Sequence, residues 1–134
     1  MPMISVSVAA APSEQLAQRL ATTLTDLTAT ILHKDPAVLD VAVTYVDPAH
    51  WFVNRQPGAT AYFVEGRFTE GTNTKDEKAE YIARVHAALD DLLGGVHPAS
   101  YVQVAEVHAD AYGYGGQTAE QRYIAGRLVQ AAPA

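Results

Sequence analysis

Chemistry can begin at the second residue. Pro2 follows Met1, and a small second residue permits removal of the initiator methionine. A proline with nothing before it is a secondary amine free of amide resonance, able to accept a proton as a general base. With Met1 retained the same nitrogen is an amide and the base is gone. Met-Pro starts are common in ordinary proteins, so the position alone does not assign the role. Two cations can hold an anionic ligand: Arg67, inside a strand-like run on the same face as Thr69, and Arg55, behind Trp51-Phe52-Val53-Asn54 in a hairpin-like stretch. Arg67 reads either as an anchor or as a salt-bridged surface residue, and Arg55 either as a residue reaching into a site or as a solvated loop tip. Asp40 offers a carboxylate at a strand end, while Tyr101 and Gln103 share one face of another strand. Trp51 and Tyr112 are aromatic residues that serve equally as the wall of a site or as interface packing. Gly113, Gly115 and Gly116 suit tight hairpin turning better than phosphate binding, because no helix pattern with Lys-Ser or Lys-Thr follows them. His108 with Asp110, and His97 or His50 elsewhere, lack a third ligand at a recognisable spacing, so neither a metal nor another cofactor is expected.

The elements that must position these residues repeat. Met3 to Val8 alternates as a strand with Ile4, Val6 and Val8 on one face. Ser13 is a helix N-cap, and Leu16, Leu20, Leu24, Leu27 and Ile31 recur at helical spacing until the pattern stops before Pro36. Val38 to Val46 is a second strand, and His50 to Gly58 a hairpin-like stretch. The pattern then restarts. A strand runs from Thr60 to Glu70, and Thr74 with Glu77 forms a capping box ahead of the stripe Ile82, Val85, Leu89 and Leu92. Gly94 and Gly95 close that helix, and Tyr101 to Val107 is the fourth strand. At a spacing of 61, Val41 falls on Val102, Val43 on Val104, Val46 on Val107 and Trp51 on Tyr112. The expectation is a single α+β domain: two fused β-α-β units, about 2–58 and 59–116, forming a four-stranded mixed sheet with two helices on one face, and a tail over 117–134. A chain this small cannot cover the second face of its sheet, which predicts an oligomer.

Composition limits the partners. The 134 residues hold nine Lys and Arg against fifteen Asp and Glu, a formal charge of -6 with the basic residues scattered, which argues against nucleic acid and anionic membranes. Without cysteine there is no disulfide framework or thiol nucleophile. The run Met3 to Ala11 contains Ser5 and Ser7 and has no basic region before it, so it does not read as a signal peptide, and no stretch has the length of a membrane span. A soluble, cytoplasmic protein is the default expectation.

The pattern resembles the tautomerase superfamily over roughly Pro2 to Gly116. The residues that carry the resemblance are Met1-Pro2 opening directly into a strand, the run Phe63-Val64-Glu65-Gly66-Arg67-Phe68-Thr69-Glu70-Gly71, and the hairpin Tyr112-Gly113-Tyr114-Gly115-Gly116, which is similar to the Phe-Gly-Ile-Gly-Gly hairpin of 4-oxalocrotonate tautomerases. Two repeats in one chain resemble the fused tautomerases, the cis-3-chloroacrylic acid dehalogenase group and the macrophage migration inhibitory factor group. The resemblance implies a cofactor-independent homotrimer acting on small enols or 2-keto acids, with Pro2 as base and its ammonium form disfavoured by desolvation and neighbouring cations. It implies Arg67 and Tyr101 as further catalytic groups, with Arg55, Trp51, Gln103, Tyr112 and Asp40 around the substrate. The family's arginine pair falls on Thr69 and Thr72, and another of its arginines on Pro12, departures that weigh against 4-oxalocrotonate-type activity. The same fold also serves hydratases, dehalogenases and decarboxylases. The element order is equally that of ferredoxin-like domains, which often bind ligands without catalysis.

Overall fold

The computed structural model describes residues 2–131. The first strand, β1 (Met3–Ala9), turns Ile4, Val6 and Val8 into the core and leaves Ser5 and Ser7 on the opposite face. The helix α1 (Glu14–Ile31) starts where Ser13 Oγ accepts from Leu16 N at 3.1 Å, and it buries Leu20, Leu24, Thr28 and Ile31. It ends against His33, whose φ of 58° lies in the left-handed region. A short turn at Pro36–Val38 leads into β2 (Asp40–Val46), which pairs parallel with β1 from Met3 opposite Asp40 to Ala9 opposite Val46. The minimal hairpin β3 (Phe52–Val53) and β4 (Gln56–Pro57) follows.

The second unit repeats this construction. Strand β5 (Tyr62–Thr69) and helix α2 (Lys75–Leu92) are followed by β6 (Tyr101–Val107), parallel to β5. The capping box is formed in full: Glu77 N donates to Thr74 Oγ1 at 3.1 Å, and Thr74 N to Glu77 Oε1 at 2.8 Å. The hairpin β7 (Gly113–Tyr114) and β8 (Gln117–Thr118) then runs straight into α3 (Ala119–Ala131). This third helix occupies most of the stretch expected to be a tail, and it was not legible because none of its residues is buried.

The sheet order is β2-β1-β5-β6, with β1 and β5 antiparallel at the centre. The split β-α-β arrangement places another strand between the two strands of a unit, whereas here each unit keeps its strands adjacent. The ferredoxin-like alternative is thereby excluded. The helices match at a spacing of 61, Glu14 with Lys75 and Ile31 with Leu92. The leading strands match at 60 instead, since Met3 stands opposite Asp40 as Phe63 stands opposite Tyr101. The shift by one keeps the apolar residues of both strands on the helix side. Between the layers, Val6, Val64 and Phe68 meet Leu20, Leu24, Tyr81, Val85 and Leu89. The buried Thr28 is satisfied: its hydroxyl donates to Leu24 O at 2.6 Å and shares a hydrogen bond of 2.8 Å with the Tyr81 hydroxyl.

The other face of the sheet is open. Its cross-strand rows run Asp40, Met3, Arg67, Ala105 at one end, then Ala42, Ser5, Glu65, Gln103, then Thr44, Ser7, Phe63, Tyr101 at the other. Parallel pairing of β2 with β1 puts the Trp51 hairpin at the second end, and antiparallel pairing of β1 with β5 puts the second hairpin at the first.

Candidate active site

Pro2 is buried where β1 begins, and its carbonyl accepts from Asp40 N at 3.3 Å. A cavity of about 280 Å³ opens there, floored by Pro2, Met3, Val38 and Asp40 and walled by the hairpin residues Tyr112, Gly113 and Tyr114. The wall stands over the floor because the hairpin follows β6, whose last residues lie beside the end of β5 that pairs with Met3. The Tyr112 hydroxyl donates to Arg67 O at 3.3 Å. Burial pushes the phenol above its ordinary value, and the Asp40 carboxylate adds to the shift, against opposing contributions from the Met3 backbone and the Arg67 charge. Tyr112 is therefore a protonated donor throughout the neutral range.

Arg67 follows in the row beside Met3, but its guanidinium is engaged by Glu65 Oε1 at 2.9 Å and is half exposed. Asp40 is exposed at the head of β2 and reaches the cavity. Of the anticipated residues, Pro2, Asp40, Arg67 and Tyr112 thus come together at one end of the sheet.

The remaining four do not join them within one chain. Tyr101, 69% exposed, lies in the row of Ser7 and Phe63, about 13 Å from the Met3 row at 3.3 Å per strand residue. With Trp51, Phe52 and Phe63 it lines a separate, aromatic cavity of about 510 Å³. Gln103 sits opposite Glu65 in the middle row. Arg55 occupies the tip of the first hairpin, held at a φ of 69°. Periodicity reveals which face a residue takes; the end of the sheet is set for Trp51 by the parallel pairing of β2 with β1 and for Tyr101 by how the two units pair.

One cavity residue and one half-buried cation elsewhere were not singled out in the sequence. Tyr114 lines the Pro2 cavity, a role open to inference because it shares a hairpin with Tyr112. Lys34, beyond the end of α1, donates from Nζ to Thr72 Oγ1 at 2.7 Å and lies 6.0 Å from the Phe68 ring centroid. Phe68 belongs to the core under the helices, so Lys34 lies on the helix side of the sheet and not in the Pro2 cavity. Burial lowers the Lys34 ammonium pKa, partly offset by Glu77 and Glu106. No local pattern marks that residue. Among the described residues no group of three or more His, Cys, Asp or Glu is placed to hold a metal ion, and no helix is long and apolar enough to cross a membrane. Met1, whose removal the expected role of Pro2 requires, lies outside the described residues.

No protein-family model matches the sequence, and no curated protein is significantly similar to it. Solved structures do match the fold. Two fused β-α-β units with adjacent parallel strands define its class, and the likeness extends over nearly the whole chain. A native fused 4-OT structure matches with a TM-score of 0.79 at 20% identity, over 89% of this chain and 97% of that one. Pt0534 inactivated by 2-oxo-3-pentynoate matches at 0.81 and 16% identity, over 90% and 98%. A macrophage migration inhibitory factor-like protein from Entamoeba histolytica matches at 0.74 and 15% identity, over 87% and 97%. The fold is that of the tautomerase superfamily.

Proposed function

We propose that the protein is a cofactor-independent tautomerase in which the free amine of Pro2 moves a proton between the enol oxygen and the carbon of a small 2-keto acid. The observation that carries this reading is the burial of Pro2 in the floor of a cavity walled by Tyr112 and Tyr114. An apolar seat disfavours the ammonium form and keeps the amine available as a base. Tyr112 supplies a phenol donor toward the developing enolate, and Arg67, once released by Glu65, holds the substrate carboxylate. The tautomerase fold makes an amino-terminal proline base the economical hypothesis.

The assembly is a homotrimer. Phe52, Phe63 and Tyr101 are 59%, 39% and 69% exposed at the Trp51 end of the open face, an aromatic surface that calls for cover. Fused 4-OT, which shares this fold, forms a symmetric trimer. Head-to-tail docking brings Tyr101 and Gln103 of one protomer to the Pro2 cavity of the next, which reunites the residues that a single chain keeps apart.

A second reading has its own observation. Asp40 stands in the Pro2 cavity, where a carboxylate can orient water, as hydratase, dehalogenase or decarboxylase chemistry requires. Asp40→Asn separates the two: it spares ketonisation of an enol but abolishes a reaction that uses water.

The keto acid 2-oxo-3-pentynoate, which inactivates Pt0534, tests the base. Addition of the Pro2 amine across its triple bond increases the mass of the amino-terminal peptide by that of the whole reagent. Labelling confined to that peptide is the expected result; an unlabelled Pro2 beside a modified lysine would count against the reading.

A further inference from the structure

The two hairpins are built alike but held differently. Asn54 and Arg55 form the left-handed turn of the first, with φ of 47° and 69°, and Gly115 and Gly116 that of the second, with φ of 59° and 82°. The first hairpin leads into a loop, where Gly58 N donates to Pro48 O at 2.9 Å. The second leads into α3, and several contacts bind the helix back to it. Ala119 N donates to Tyr112 O at 2.8 Å. Thr118 and Gln121 cap each other, from Thr118 N to Gln121 Oε1 and from Gln121 N to Thr118 Oγ1, both at 2.9 Å. Arg122 lays its guanidinium carbon 3.8 Å from the centroid of the Tyr114 ring and donates from Nη2 to Tyr114 O at 3.0 Å.

We propose that Arg122 is a positioning residue that fixes the Tyr112–Tyr114 wall of the Pro2 cavity. The role rests on the reading of that cavity as the active site. Arg122 bears on both the ring and the main chain of Tyr114, so it sets the tilt of the aromatic face as well as the position of the strand beneath it. Among the described residues its Nε is buried without a hydrogen-bond partner. The guanidinium takes its orientation from Tyr114 instead of from its own fullest hydrogen bonding. The guanidinium lies close against the turn, since a Cβ at Gly115 would stand 2.8 Å from Arg122 Nη2. Among the ion pairs of the described residues Arg122 has no part, whereas Arg67 is engaged by Glu65. An uncompensated positive charge therefore stands behind the wall and favours entry of an anionic ligand.

The test compares Arg122→Leu and Arg122→Lys with the control Arg127→Leu on the same helix. Hydrogen exchange is read over 112–118, and KM and kcat are measured on the enol of a 2-keto acid. In Arg122→Leu the hairpin amides should exchange about tenfold faster while the four-stranded sheet is unchanged, and KM should rise about tenfold with kcat within about twofold. Arg122→Lys should recover part of both effects, because an ammonium over the ring keeps the cation–π attraction. Arg127→Leu should change neither. Unaltered hairpin exchange in Arg122→Leu, exchange raised evenly across the sheet, or a loosened hairpin with unchanged KM would each overturn the proposal. Should the wild-type protein turn over no enol, the base reading falls by itself, and the exchange comparison still upholds or overturns the clamp.

Discussion

Arg67 and Arg55 differ in what holds them. Arg67 projects from a central strand and is paired with Glu65, while Arg55 stands at a hairpin tip in the left-handed region. A strand holds a side chain more rigidly, so Arg67→Ala should raise KM for a carboxylate substrate about ten- to a hundredfold, the loss of one charged hydrogen bond, and Arg55→Ala should raise it much less. Glu65→Gln should lower KM, because an exposed ion pair contributes at most about 1 kcal/mol and its removal frees the guanidinium. Steady-state kinetics on the three variants decide the matter, and equal effects of the two alanine substitutions would show that the wrong arginine was chosen. At this scale the sequence was informative about residue type and face. The alternation in β5 placed Arg67 with Thr69 on the open face, and the same alternation puts Glu65 beside it, the partner of the salt-bridged alternative.

Strands and helices were the most legible level. The apolar spacing of α1 and the caps at Ser13 and Thr74 match the structure; in α2 Val85 and Leu89 turn inward as expected, but Tyr81 takes the buried place assigned to Ile82, which is exposed. The helix α3 escaped notice since Tyr123, Ile124, Leu128 and Val129 are all exposed, and no core imposed a periodic stripe on them. Removing the capping hydroxyl in Thr74→Ala should lower stability by about 1 kcal/mol, read from the urea midpoint. In Gly66→Ala the new Cβ would meet the Phe68 ring, so the cost should reach about 1 to 3 kcal/mol in the same assay. The contact of His108 Nδ1 with Glu70 Oε1 at 2.7 Å joins the ends of β6 and β5, and it raises the imidazole pKa above 6.5 by hydrogen bond first and charge second. A raised folded pKa gives stability that is complete below the unfolded value of 6.5 and lost as pH rises through the folded value. Thermal melts of wild type and His108→Ala should therefore differ most below pH 6.5 and converge at higher pH.

For the whole molecule, the fusion of two units sets the two ends of the sheet apart. The repeat could be read from the spacing of valines, and the open face from the shortage of chain to cover it. That Trp51 lies away from Pro2 follows from the parallel pairing expected within a β-α-β unit, but that Tyr101 does could not be read, since it follows from the antiparallel pairing of β1 with β5, which no local pattern encodes. The proposed assembly restores their proximity, and light scattering at low concentration should give three times the mass of the 134-residue chain. A stable monomer would contradict it. The central claim, that catalysis depends on the free nitrogen of Pro2, is tested most directly by comparing protein with Met1 removed against protein carrying extra residues before Pro2. Ketonisation of the enol of phenylpyruvate is followed for both, with the amino terminus of each verified by mass spectrometry. The account predicts a fast reaction for the processed protein and none above background for the blocked one, because an amide nitrogen cannot accept the proton. Equal rates for the two would contradict it.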